Sequence, residues 1–333
     1  MKMRRTLCLL LICLCLPLHG PAADRADTLQ YAGVSIRSLT VRDTPSREGA
    51  VIGQVRDHAK VDIYDFTPEF LRIAYEGRTG YVLRTQVTDI VPINPSVTLP
   101  YGAVIHHQVA TVLTNTNVYK DKEGAGGAWC TLSAGSAVSF WYIQDGWATV
   151  PYQREIGYVP VSALKGVTPV APTMDYARPG DLLASFTSFY STANTEMNRG
   201  RMVNIDVGCK YICITLQPGQ QFSFNKVAGP YRRARGYMPA PVLINGASAP
   251  GYGGGTCQVS STLYNVLLQL PQGITVLYRR PHGPSGAKYL PHGVDAAVGN
   301  DTLDLVFQND FSFPVRIDAR AKDGALFVAL YKA

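Results

Sequence analysis

An internal repeat in the first half of the chain most restricts the folds open to it. With an offset of 77 residues, Val41 matches Val118, and the sequence Gly-Tyr-Val at 80–82 recurs at 157–159. Between these anchors, each copy alternates short apolar runs with turn residues, a pattern typical of about five short strands in about 55 residues. A unit of this size closes into a small β-barrel, so the first half is expected to hold two of them.

The start of the chain has the pattern of a secretion signal. Three basic residues, an apolar run over 7–18 and two alanines at 22–23 follow one another, and we assign residues 1–23 to a signal peptide. Its removal lowers the formal net charge from +7 to +4, because three basic residues and no acidic ones leave with it. This small, evenly spread charge excludes nucleic-acid binding, and no stable membrane span is expected after cleavage.

Four cysteines remain after the predicted cleavage: Cys130, Cys209, Cys213 and Cys257. Exported chains meet oxidising conditions in which cysteines usually pair. Three complete pairings, or one disulfide with two free thiols, therefore stay open.

A glycine-rich turn over 253–255 precedes Cys257, and apolar residues then recur at helical spacing through Leu270. Cys257 is thus expected at or just before a helix N-terminus, where the dipole and unpaired amides stabilise a thiolate and could hold an oxyanion. Three other interpretations stay open: an anion-binding turn that merely contains a cysteine, a disulfide, or a buried unreactive thiol.

A thiolate nucleophile needs a base and an orienting partner. His282 and His292 each lie between Pro and Gly, as loop-borne site residues do, and Asp295 and Asp304 are candidate orienters. Three other histidines lie far from Cys257 in the sequence: His58, His106 and His107. No zinc-type spacing of His and Cys occurs, so neither a metal nor another cofactor is expected.

The first repeat copy resembles bacterial SH3 (SH3b) domains. It runs Leu39-Thr-Val-Arg-Asp-Thr-Pro-Ser, then Val51-Ile-Gly, then Gly-Tyr-Val, and the second copy keeps Asp145-Gly-Trp147 and the same close. The resemblance implies binding to peptidoglycan. The alternative is that the aromatic side chains only fill two spacer barrels.

An ordered series of motifs in the second half resembles the VanW domain. It comprises Pro218-Gly219, Phe222–Asn225, Val227–Pro230, Gly236-Tyr237, Ala240, Gly253–Asn265, His282, Tyr289, Gly293–Ala296 and Asp304–Asn309. The resemblance implies a cysteine L,D-transpeptidase with Cys257 as nucleophile and His282 as base. The family pattern has a serine directly after this histidine, whereas this chain has Gly283. The resemblance therefore does not predict the geometry of the loop around His282.

In the implied reaction, Cys257 attacks the carbonyl of the third residue of a tetrapeptide stem, and D-Ala leaves with a proton from His282. An amine of a second stem then forms a 3-3 cross-link, whereas water would make the site an L,D-carboxypeptidase. A wall cysteine peptidase or amidase, and a non-catalytic peptidoglycan-binding scaffold, are the alternatives. Asp295 is the expected third catalytic residue, and Asn265 is the second candidate for this role.

Substrate contacts are expected from residues of the motif and its neighbours: Gly254, Gly255, Thr256, Gln258, Ser260, Tyr289 and Arg232. For Ser260, a role as helix cap or core contact stays equally open. Arg232 lies in a basic turn with Arg233 and Arg235, which could bind stem carboxylates or simply be solvated.

The predicted fold class is multidomain, with two small all-β SH3-like barrels followed by an α+β VanW domain. A helix is expected within 181–213, and two or three strands within 302–331. The expected partners are peptidoglycan stem peptides and glycan, the location is the periplasm or cell wall, and the oligomeric state stays open. The predicted domains are a signal peptide (1–23), SH3b-like domains (30–91 and 111–166), linkers (92–110 and 167–180) and the VanW domain (181–333).

Overall fold

Seven short antiparallel strands make up the first barrel. The computed structural model describes residues 28–333 except 68–69, 95–97, 99–100, 102, 104, 172–176, 245–246, 271, 283–286, 292 and 300–301, so the predicted signal peptide lies outside it. The strands are β1 (Tyr31–Ser35), β2 (Leu39–Arg42), β3 (Val51–Val55), β4 (Lys60–Phe66), β5 (Phe70–Tyr75), β6 (Arg78–Leu83) and β7 (Val87–Pro92).

A second set of strands repeats the first along the chain. It comprises β8 (Gln108–Val112), β9 (Thr116–Tyr119), β10 (Ala128–Leu132), β11 (Ala137–Phe140), β12 (Tyr142–Gln144), β13 (Trp147–Tyr152), β14 (Glu155–Pro160) and β15 (Leu164–Pro169). Each strand begins 77 residues after its counterpart, from Tyr31 and Gln108 to Val87 and Leu164, with β11 and β12 together replacing β4. The spacing seen in the sequence is therefore kept through the whole fold.

The strand order is also shared between the two copies. The first sheet has the order β3-β2-β6-β5-β4-β1-β7, and the second copy has β10-β9-β14-β13-β12 and β11-β8-β15. Each copy has seven strand positions in its sheets, so the expectation of about five strands per copy is wrong. Short strands such as β3 and β7 bury few side chains and so leave only a weak alternating pattern in the sequence.

The C-terminal half is α+β with few helices, as expected. Its sheets have the orders β16-β24-β23-β17, β18-β22-β21 and β19-β20. The strands are β16 (Leu182–Phe189), β17 (Thr215–Leu216), β18 (Gln221–Ser223), β19 (Pro239–Ile244), β20 (Ala247–Tyr252), β21 (Ile274–Arg279), β22 (Leu305–Asn309), β23 (Val315–Lys322) and β24 (Ala325–Lys332). The α-helices are α1 (Glu196–Ile212), α2 (Phe224–Ala228) and α3 (Thr256–Leu267).

Every residue of β16 is buried, because both of its faces are covered. On one face, the hydroxyls of Ser188 and Thr262 of α3 lie 2.7 Å apart. On the other, the amide of Ser139 in the second barrel donates to the Thr187 hydroxyl at 2.9 Å, and Phe189 belongs to that barrel's core. The second barrel therefore packs directly on the sheet that carries α3.

His106 lies in the stretch predicted as a linker and is completely buried. Its ring stacks on Phe186 at a centroid distance of 4.7 Å, and its Nδ1 lies 2.6 Å from Ser139 Oγ. Its amide donates to the side chain of Gln269 at 2.9 Å. Burial lowers the pKa of His106 to about 3, so it is neutral. This part of the predicted linker is fixed between the second barrel and the C-terminal half.

The boundary between two compact units falls between Asp89 and Ile90, within β7, so the first unit contains the first barrel up to the middle of this strand. Leu39, Val41 and Ile63 are among the buried side chains of the first barrel.

In the described part of the chain, no helix has both the length and the apolar character that crossing a bilayer requires.

Candidate functional site

Cys257 is the second residue of α3, where the apolar spacing predicts a helix start. Gly253 and Gly255 in the preceding turn have φ angles of 85° and 111°, which favour glycine. A Cβ on Gly254 would lie 2.3 Å from the carbonyl oxygen of Pro241. The glycines therefore allow hairpin β19-β20 to approach the start of α3 closely.

The first amides of α3 differ in their hydrogen bonding. Thr256 donates to the carbonyl of Gly253 at 3.0 Å, and Gln258 donates to that of Gly255 at 2.9 Å. Among the residues that the structure describes, the amide of Cys257 meets no acceptor. An unused donor beside the thiol is suited to a developing oxyanion.

His282 and Asp295 meet although 13 residues separate them in the chain. Asp295 Oδ2 accepts from the amide of His282 at 2.7 Å and lies 2.5 Å from its Nδ1. The carboxylate is only 1% exposed, and its other oxygen lies 3.6 Å from the Arg279 guanidinium. Arg279 also donates to the backbone carbonyl of Asp295 at 2.6 Å. The imidazole is thus oriented by the Asp295 carboxylate, which Arg279 in turn holds in place.

Opposing effects set the pKa of His282. Burial disfavours the imidazolium, but hydrogen bonds with Asp295 and Cys257, together with their charges, outweigh it and raise the pKa to about 9. Burial also disfavours the ionised carboxylate of Asp295, yet its hydrogen bonds with His282 lower its pKa. Because Nδ1 faces Asp295, Nε2 is left for Cys257. At neutral pH, His282 is therefore protonated beside the Cys257 side chain.

Polar side chains of α3 hold the segment 294–298 over the cysteine. Ser260 donates to the carbonyl of Ala296 at 2.6 Å, and Asn265 donates to that of Val294 at 2.7 Å. The Cys257 thiol lies 3.2 Å from the carbonyl of Val298. Ser260 and Asn265 are therefore buried supports of the site in this structure, and any contact with substrate stays a prediction.

Tyr289 lies beside His282, with 6.5 Å between the ring centroids in an edge-on arrangement. Burial raises the pKa of its hydroxyl, as does the nearby Cys257. The Arg201 guanidinium lies over the Tyr289 ring, 5.9 Å from its centroid, and donates to Gln258 Oε1 at 2.6 Å. Sequence reasoning missed Arg201 because it lies on α1, more than fifty residues before the cysteine motif.

The remaining predicted site residues lie elsewhere or are internal. Thr256 is buried and its hydroxyl donates to the carbonyl of Gly253. Arg232 is exposed on the turn before Gly236. Asp304 accepts from the Ser223 hydroxyl at 2.6 Å and therefore anchors the start of α2. His292 and Gly283 lie outside the described residues.

The four cysteines that the structure describes are free thiols, so no disulfide involves Cys257 here. Burial raises the pKa of Cys130 to about 12 and that of Cys209 well above its usual value. Within the described ranges, no group of three or more His, Cys, Asp or Glu side chains is placed to hold a metal ion.

Residues 200–331 match the family described as VanW like protein, and residues 37–87 match the bacterial SH3 domain. The chain therefore carries a VanW domain and a bacterial SH3 domain over these residues, as the motif resemblances predicted. The second barrel has the strand order of the first, and its assignment as an SH3 domain stays a prediction.

Two curated relatives match part of the chain. The chain is 37% identical over 145 residues to the uncharacterized protein YoaR of Bacillus subtilis (strain 168), across 43% of this chain and 47% of that protein. It is 29% identical over 135 residues to the Vancomycin B-type resistance protein VanW of Enterococcus faecalis (strain ATCC 700802 / V583), across 36% and 47%. The chain thus spans about half the length of the curated relatives it matches.

Two solved structures also align with this chain: NlpC2 and NlpC1 from Trichomonas vaginalis. They cover 92% and 85% of this chain, and 97% and 88% of their own, at 10% and 13% identity. Each TM-score is 0.17, which is too low to support an inference about fold or function.

Proposed function

We propose that this protein is an exported peptidoglycan-modifying enzyme, a cysteine L,D-transpeptidase that forms 3-3 cross-links. The observation that carries the proposal is the contact of Cys257 with His282, which Asp295 holds by Nδ1 at 2.5 Å. A nucleophile, a base and an orienting group in this order form the pattern of covalent acyl transfer. The combination of a VanW domain with a bacterial SH3 domain supports the cell wall as the place of action.

The first step of the proposed reaction acylates the cysteine. The Cys257 thiolate attacks the carbonyl of the third residue of a tetrapeptide stem, and the free amide of Cys257 donates to the resulting oxyanion. His282, protonated at neutral pH, gives its Nε2 proton to the leaving amine of D-Ala. The C–N bond breaks, a thioester remains, and His282 is left neutral.

The second step releases the thioester. Neutral His282 accepts a proton from the side-chain amine of a second stem as that amine attacks the carbonyl. The C–S bond then breaks and the thiolate returns. Water in place of the amine would give an L,D-carboxypeptidase with the same residues.

The first barrel would hold the chain to its substrate. We infer that the domain at 30–91 binds peptidoglycan, that the barrel at 111–166 supports the domain at 181–333, and that 1–23 directs export to the periplasm or wall. A half-buried pair of a basic and an aromatic side chain in the first barrel supports this role, since Arg72 lies over the Tyr64 ring at 5.6 Å.

The direct test is incubation with purified tetrapeptide-containing peptidoglycan, followed by mass spectrometry of the muropeptides. The wild-type chain is compared with Cys257→Ala and with Cys213→Ala, which removes an exposed thiol outside the site. We expect 3-3 dimers from the wild type and from Cys213→Ala, and none from Cys257→Ala. Loss of D-Ala without dimers would indicate the carboxypeptidase. Binding to peptidoglycan without any product would refute the enzyme and favour the non-catalytic scaffold.

A further inference from the structure

The proposed mechanism assigns no role to Arg201, which is a cationic side chain near the site. It is half-buried in the first turns of α1, and its backbone and stem lie against Gly255 of the cysteine turn. Its guanidinium reaches the Tyr289 ring, which also lies beside His282. A positive charge is thereby held close to the turn that carries Cys257.

A buried glutamine fixes this guanidinium. Gln258 follows the cysteine directly and is completely buried. Its Nε2 donates to the Ser188 hydroxyl at 3.1 Å and to the carbonyl of Phe189 at 3.0 Å, which leaves Oε1 for Arg201 at 2.6 Å. Because both donors of the amide are used by β16, its orientation is set, and Oε1 points a fixed acceptor at the arginine.

The arrangement is suited to binding an anion. One edge of the guanidinium is held by Gln258, and the guanidinium carries five N–H donors in a planar fork. Asp295 is the nearby carboxylate of the site, and it already faces His282 and Arg279. Arginine forks bind carboxylates through paired hydrogen bonds.

We propose that Arg201 binds a free carboxylate of the acyl-donor peptide, the α-carboxylate of the residue that leaves, and so selects donors with an unblocked C-terminus. This inference rests on the proposed function. A purely structural role, in which Arg201 only joins α1 to α3, predicts that its loss affects acid and amide donors equally.

The test compares a tetrapeptide that ends in D-Ala with the same peptide that ends in D-alaninamide. Binding is measured by calorimetry in the Cys257→Ala protein, so that no turnover occurs. It is repeated after adding Arg201→Gln, Arg201→Lys or Arg199→Gln, where Arg199 is an exposed arginine of the same helix. Circular dichroism verifies that each variant is folded.

With Arg201 present, we expect the acid to bind at least about tenfold more tightly than the amide, as charge-assisted hydrogen bonds allow. Arg201→Gln should bring this ratio close to one by weakening the acid alone, Arg201→Lys should keep part of it, and Arg199→Gln should leave it unchanged. Equal binding of both peptides when Arg201 is present, or a preference that survives Arg201→Gln, would overturn the proposal. Wild-type protein without any muropeptide product would instead overturn the proposed function itself.

Discussion

Replacement of Asp295 by asparagine tests the electrostatic basis of the site. Asparagine keeps the size of the side chain and an acceptor for the backbone amide of His282, but it removes the charge. The rise in the pKa of His282 from 6.5 to about 9 corresponds to about 3 kcal/mol, at about 1.4 kcal/mol per pKa unit. Asp295 and Cys257 share this contribution, so we expect the pKa of His282 to fall by at least about one unit in Asp295→Asn.

The same shift predicts how stability depends on pH. His282 binds its proton more tightly in the folded chain than in the unfolded chain. Its contribution is therefore complete below pH 6.5 and is lost as pH rises through about 9. The wild type should lose up to about 3 kcal/mol in free energy of unfolding over this window, and Asp295→Asn should lose less.

The assay is an NMR titration of the labelled histidine imidazoles, with the signal of His282 assigned from His282→Gln. The control is Asp318→Asn, which removes a carboxylate paired with Arg320 at 2.6 Å on β23, outside the site. The pKa of His282 should be unchanged in the control. If the pKa of His282 stays near 9 in Asp295→Asn, the charge of Asp295 is not what raises it, and the reasoning is refuted.

Three further predictions concern other positions. Gly255→Ala should lower the melting temperature more than Gly77→Ala, because both positions have positive φ but only the first would also meet a close neighbour; thermal unfolding of both variants measures the difference. The wild type should lose stability as pH falls from 6.5 to about 3, because the unfolded chain protonates His106 while the buried ring stays neutral. His106→Phe should abolish this loss, and denaturant unfolding at several pH values measures it. Iodoacetamide at pH 7 should modify Cys257 long before Cys130, whose pKa is about 12, and peptide mass mapping would detect the reverse order if the reasoning fails.

Local patterns in the sequence predicted the helix start at Cys257. The apolar spacing after Cys257 requires a helix that starts there, and the glycines before it signal a close backbone approach. His282 and Asp295 could be named as candidates because both lie in short Pro- and Gly-rich loops. Their meeting at 2.5 Å depends on how β21 and the segment 294–298 pack against α3, which no local pattern contains.

Contacts across the fold account for what sequence reasoning missed. Arg201 and Gln258 are 57 residues apart and lie on different helices, so their hydrogen bond follows only from the packing of α1 against α3. The prolines and turn residues that precede His106 predict a linker there. Its burial is a consequence of the second barrel packing on β16, and its neighbours Phe186 and Ser139 are distant in the chain.

The constant spacing of 77 residues allows matching positions of the two barrels to be compared directly. In the first, Gly53 leaves the space that the ring of Tyr75 occupies, and a Cβ there would lie 2.2 Å from its hydroxyl. The matching residue of the second barrel is the half-buried Cys130, and the matching tyrosine is Tyr152, whose ring centroid lies 5.0 Å from that of Phe189 in the C-terminal half. At this pair of positions, the tyrosine of the first barrel packs within its own barrel, whereas the tyrosine of the second contacts the C-terminal half, so the two barrels are not interchangeable parts.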